Sequence, residues 1–139
     1  MLAAFPLLAL PVLLYNLLML TIGGAFGGDG AGRLARPLVN LRMASHTTWA
    51  IDLGDILIAA SLLILFAELL KSAGTRRIAI LNHSLSMILF VICLIEFLVF
   101  PAFATSTFFL IGLMVLLDVL AGFVVTLIAA RREVDFRPE

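Results

Sequence analysis

TFFLIGLMVLLDVLAGFVVTLIAA, residues 107–130, decides the class of fold. In 24 residues it carries one charged side chain, Asp118. A helix of that length rises roughly 36 Å, and about 20 apolar residues suffice to cross the hydrocarbon of a bilayer. In lipid only helices and closed barrels satisfy the whole backbone. Barrel strands alternate apolar and polar residues over ~10-residue segments, and this run does not alternate. It reads as a transmembrane helix.

Three more apolar stretches extend the pattern, at about residues 2–22, 49–70 and 78–100. The expected fold is therefore all-α: one domain over residues 1–139, a polytopic membrane protein built as a bundle of four transmembrane helices. Composition agrees. The 139 residues are 63% hydrophobic and 13% charged, with mean hydropathy +1.21, whereas soluble domains carry about 25% charged residues. A soluble core this small leaves too much surface in water to hide so many apolar side chains. A net charge of zero opposes nucleic acid as a partner, which calls for a clustered basic surface. With one cysteine, Cys93, the chain forms no internal disulfide and no Cys-based metal site.

The first stretch competes with a signal peptide, Gly23-Gly24-Ala25 resembling a cleavage site. No Lys or Arg precedes the run, which is longer than a signal peptide's apolar region, so a retained helix is expected. Pro6 suits its first turn and Pro11 should kink it. The following GGAFGGDGAG, residues 23–32, holds six glycines and reads as a flexible strap. Its GDGAG core lacks the Lys-Ser/Thr and the preceding strand of a phosphate loop. Beyond it, Leu34, Leu38, Leu41 and Ser45 fall on one side at 100° per residue, opposite Arg33, Arg36 and Asn40. That pattern predicts a short interfacial helix, with Pro37 at its first position and Trp49 opening the second span as an aromatic-belt residue.

The later links are short. KSAGTRR at 71–77 and PAFATS at 101–106 make spans two, three and four antiparallel neighbours. Lys71, Arg76, Arg77, Arg131, Arg132 and Arg137 fall on one side, against Arg33, Arg36 and Arg42 on the other. The positive-inside rule then puts both termini in the cytoplasm. The expected location is a cell membrane, crossed several times, of the bacterial inner-membrane type. The three outer arginines are candidates for contact with anionic lipid or an acidic partner surface.

The spans enclose Asn16, Asp52, Asp55, Glu68, Asn82, His83, Glu96 and Asp118 but no Lys or Arg. Intramembrane carboxylates normally pair with a cation or face water, so these are the candidate site residues. Asp118, near the middle of the fourth span, is expected either to hydrogen-bond Asn16, Tyr15 or Ser61 or to bind a proton or cation. Asn82, Ser86, Cys93 and Glu96 share an arc of roughly 80° on the third span, which reads as an interhelical seam or a hydrated path. Asp52 and Asp55 form an outer acidic cluster suited to capping; with Glu96 and His46 they are the weak candidates for a divalent cation. Glu68 and Lys71 are spaced for an i,i+3 ion pair. His83 reads as a hydrogen-bonded structural histidine, and no chain-internal bis-His haem pair is available because His46 falls on the opposite side. Ser84 and Ser86 lack the flanks of a nucleophile elbow.

These features point first to a non-catalytic accessory or structural subunit, held in a larger membrane assembly or a homo-oligomer. Its partners would be the bilayer and other subunits or itself, with no cofactor and no metal. The alternative is a small proton- or cation-coupled transporter using Asp118 and Glu96, and the third a membrane redox protein centred on His83.

Overall fold

In the computed structural model, which describes residues 5–22, 29–72 and 76–135, apolar helices make up most of the chain. In order they are α1 (Ala9–Ile22), a five-residue α2 (Gly30–Leu34), strands β1 (Pro37–Arg42) and β2 (Thr48–Asp52), then α3 (Leu53–Ser72), α4 (Arg76–Val99), a 3₁₀ turn (Pro101–Phe103) and α5 (Ser106–Asp135). Helices α3, α4 and α5 contain stretches long and apolar enough to cross a membrane: Leu53–Lys71, Leu81–Val99 and Ser106–Val125. Helix α1, with 14 residues, rises only about 21 Å. Three helices, rather than four, therefore reach spanning length among the described residues.

The bundle is turned inside out relative to a soluble protein. Ser61, Glu68, Asn82, Ser86 and Asp118 are buried, while Leu63, Leu98 and Phe123 are 73%, 71% and 65% exposed. Polar groups that face the interior, with apolar ones outside, are what a hydrocarbon solvent selects. The apolar core sits where α1 meets α5 and the 3₁₀ turn. There Tyr15, Phe103 and Phe108 pack with ring centroids 4.7–5.5 Å apart, over Leu8, Val12, Met19, Ile111 and Val115.

Helix α1 begins later than expected. Residues 1–4 lie outside the described residues, and Leu7–Leu8 form a turn closed by Ala9 N–H donating to the Pro6 carbonyl at 3.1 Å. Pro11 thus falls in the first turn, where its missing N–H has no helical partner to lose. The expected mid-helix kink has no cause here.

The interfacial helix is replaced by a β-hairpin. Pro37 opens β1 rather than a helix, and Trp49 lies in β2, four residues before α3 starts at Leu53. The strands pair antiparallel as Val39↔Ile51, Asn40↔Ala50, Leu41↔Trp49 and Arg42↔Thr48, with a bulge between Pro37 and Val39. His46, at φ 63°, turns the chain, and the Met43 N–H donates to the Thr47 carbonyl at 2.9 Å. Of the expected strap, residues 23–28 lie outside the described residues, and Gly30 and Gly32 belong to α2. The alternation Val-Asn-Leu-Arg and Thr-Trp-Ala-Ile-Asp, with β-branched and aromatic residues, outweighs a helical period carried by three leucines.

The joint between β2 and α3 is a reciprocal cap. Asp55 N–H donates to Asp52 Oδ1 at 2.8 Å, and Asp52 N–H to Asp55 Oδ2 at 3.3 Å. Each acid satisfies an amide that the first turn of α3 leaves free. Asp52→Ala should lower stability by about 1 kcal/mol, measured by denaturant unfolding in detergent; an unchanged midpoint would mean the cap is dispensable.

Candidate functional site

Near the α3–α4 end of the bundle, polar side chains from three helices gather in one buried layer. Glu68, on the last turns of α3, is fully buried. Its Oε1 accepts from Lys71 Nζ at 3.0 Å and from Asn82 Nδ2 of α4 at 2.6 Å, and its Oε2 accepts the backbone N–H of Leu7. The Glu68–Lys71 ion pair is i,i+3, as spaced in the sequence, but it does more than join neighbours on one helix. Lys71, the chain's one lysine, also donates to the Phe5 carbonyl at 2.5 Å and to Asn82 Oδ1 at 3.2 Å. Three acceptors match the three protons of its ammonium. The residue falls at the edge of the apolar run, and its flexible stem carries the charge inward; sequence position alone hides this.

One turn further along α4, Ser86 Oγ donates to Asp118 Oδ2 of α5 at 2.6 Å, with both residues fully buried. None of the partners expected for Asp118 serves it. Asn16 binds Glu96 at 3.2 Å, Tyr15 binds Thr105 Oγ1 at 2.6 Å and the Ala102 carbonyl at 3.2 Å, and Ser61 bonds back to the Leu57 carbonyl at 2.7 Å. Matching residues by depth misplaced Asn16 and Tyr15, which sit toward the hairpin end with Glu96 and the 3₁₀ turn. Asp118 stands within electrostatic reach of Glu68, His83 and Lys71, so two acids, a lysine and a histidine share one interior.

Three atoms in this layer are buried without a hydrogen-bond partner among the described residues: Asp118 Oδ1 and both ring nitrogens of His83. The hydrogen-bonded histidine expected at position 83 is thus not what forms. Its imidazole lies against Gly122 of α5. A Cβ placed there would fall 1.7 Å from Nδ1 and 1.8 Å from Cε1, so only glycine lets the ring in. Four residues, one helical turn, separate Asp118 from Gly122, which keeps His83 beside the acid.

The α4 stripe divides into separate pairings. Asn82 serves Glu68, Ser86 serves Asp118 and Glu96 serves Asn16, while Cys93 is buried beside an apolar groove of about 310 Å³ that Phe90, Phe97, Phe108 and Gly112 also line. Asp118 and Glu96 accordingly belong to different layers. From Ser86 to Glu96 is ten residues of α4, roughly 15 Å. The outer candidates for a cation do not converge: Asp52 and Asp55 cap α3, Glu96 holds Asn16, and His46 sits in the hairpin turn. Among the described residues no three of His, Cys, Asp and Glu are grouped to hold a metal ion. Arg33 lies in α2 and Arg42 ends β1, with Arg36 between them; all three are exposed.

Chemically, the inner layer offers a carboxylate oxygen and one imidazole lone pair, both screened from water and free to take up a proton or cation. Comparison of the chain with protein-family models, with curated proteins and with solved structures finds no match.

Proposed function

We propose that this protein is a small proton- or cation-coupled membrane transporter whose coupling site is the inner polar layer of Asp118, His83, Glu68 and Lys71. The observation that carries the reading is the unspent polarity of Asp118 Oδ1 and the two His83 nitrogens in an otherwise paired interior. Bonds that serve only to brace helices leave no such orphans, because a buried unsatisfied polar atom costs about 1–3 kcal/mol. Orphans persist where an exchangeable species completes the site. Glu96, in its own layer with Asn16, is left out of the coupling site.

The same proposal takes the chain across the membrane four times, with both termini cytoplasmic. Its support is that α1 is tied at both ends of the bundle: Phe5 and Leu7 to Lys71 and Glu68, Tyr15 and Asn16 to Thr105 and Glu96. The six-to-three division of Lys and Arg supports the orientation. Reporters fused ahead of Met1 and after Glu139 should both report the cytoplasm, and one within the 43–47 turn the opposite side; an N-terminal reporter on the same side as the turn would leave three crossings and refute the arrangement.

A second reading, the non-catalytic subunit of a larger assembly, draws on the closed pairs Asn16–Glu96 and Tyr15–Thr105, which brace helices and leave little over for chemistry. Vesicles separate the two. Purified protein reconstituted in phosphatidylcholine, with a pH-sensitive dye inside, should dissipate an imposed gradient of protons, sodium or potassium faster than empty vesicles. Rates equal to empty vesicles for all three would reject the transporter and favour the subunit.

A further inference from the structure

The hairpin between α2 and α3 carries information of its own. Residues directly opposite each other in an antiparallel pair share a face. The register therefore puts Val39, Leu41, Trp49 and Ile51 on one side of the ribbon, and Asn40, Ala50, Arg42 and Thr48 on the other. One face is wholly apolar. Yet Val39, Leu41 and Trp49 remain 48%, 44% and 52% exposed, so the described residues leave most of this face uncovered. A two-stranded ribbon alone in water is marginal, and an uncovered apolar face of this kind calls for a cover.

We infer that the cover is the bilayer itself: the hairpin lies in the membrane interface, its apolar face on the upper acyl chains and Arg42 on lipid phosphates. Three observations select lipid over another protein. Strand β2 ends at Asp52 and α3 starts at Leu53, with the reciprocal cap fixing the joint, so the ribbon begins where a spanning helix enters the hydrocarbon. At roughly 20 Å for six residues, the ribbon is too short to carry its tip far from that boundary. Its side chains are sorted as an interface sorts them: Trp49, an aromatic-belt residue, on the apolar side, and Arg42 on the polar side. Arg33 and Arg36, in the segment leading to the ribbon, add charge for anionic headgroups.

Trp49 is the chain's one tryptophan, so its fluorescence reports the face directly. Full-length protein is reconstituted in phosphatidylcholine vesicles containing phosphatidylglycerol. Emission should be blue-shifted relative to free tryptophan, lost mostly to lipids brominated near the headgroup and little to aqueous iodide. Strong iodide quenching with little loss to brominated lipid would place the face in water and overturn the inference. Shielding from both quenchers that fades as protein is diluted in lipid would assign the face to a second copy and overturn it equally. Leu41→Asp should expose Trp49 to iodide while the helical circular dichroism is kept. An unmoved quenching pattern in that folded variant would show that the face does not hold the ribbon down.

Discussion

Asp118→Asn is expected to abolish gradient dissipation by reconstituted protein while leaving the purified bundle assembled. The amide matches the carboxylate in shape, and its oxygen can still accept from Ser86 Oγ, which now lies 2.6 Å from Oδ2. What it cannot do is gain and lose a proton or balance a cation. Insertion into the membrane should be no harder, since an ionised Asp at a helix centre costs roughly 2.5–3.5 kcal/mol and an amide avoids part of that. Asp118→Leu is the necessary companion. It strands the Ser86 hydroxyl in the interior, at a cost of about 1–3 kcal/mol, and should lower the unfolding midpoint as well as silence transport. Dissipation that survives in the Asn variant would remove Asp118 from the coupling site. Loss of assembly in both variants, with no flux in the parent protein, would return the residue to the bracing role that the subunit reading gives it.

The second large effect is expected at Gly122. Because the space a Cβ would fill is already occupied by the His83 ring, at 1.7–1.9 Å from its Nδ1, Cε1 and Cγ, even Gly122→Ala must expel the imidazole or part α4 from α5. Overpacking of this kind costs about 1–3 kcal/mol, and Gly122→Leu should exceed Ala. Gly112→Ala, on the same helix, is the control: its new methyl would meet nothing nearer than Cys93 Cβ at 3.9 Å, an ordinary contact. Close approach through small residues is a recurrent device between membrane helices, and the two glycines separate the device from mere composition. His83→Ala combined with Gly122→Ala should recover much of the lost stability, because the methyl then enters vacated space; a purely additive loss would deny their coupling.

Legibility in the sequence varied with the kind of signal. Apolar runs longer than 18 residues specify spanning helices with little help from tertiary context, and α3, α4 and α5 lie within a few residues of the stretches read at 49–70, 78–100 and 107–130. The hairpin was hidden because Leu34, Leu38 and Leu41 fit a helical period while the alternation from Val39 to Arg42 covers only four residues; Thr48 to Asp52 repeats it and was the better clue. The candidate site was legible as a set of residues and illegible as a set of pairs. That Asp118 and Ser86 lie in the bundle could be read from burial requirements alone. The Glu68–Lys71 pair lies within one helix and its spacing shows it. That Asp118 meets Ser86, and that Lys71 also reaches Asn82 and Phe5, depends on how helices rotate against each other, and one sequence records no rotation.

The ties that hold α1 also impose a timetable. The Glu68 that accepts the Leu7 amide is made 61 residues later, Glu96 follows Asn16 by 80, and Thr105 follows Tyr15 by 90. At about 5–20 residues per second, the ribosome leaves the first helix waiting roughly 3–18 s for its partners. If α1 crosses the membrane as proposed, it is safest waiting without charge, and Ala9–Ile22 carries none. The ionisable side chains of the inner layer arrive afterwards and close to help: Lys71 emerges three residues behind Glu68, and Asp118 appears when Ser86 is already in place. Chain order thus delivers each buried acid to a membrane that already holds, or is about to receive, the group that tolerates it.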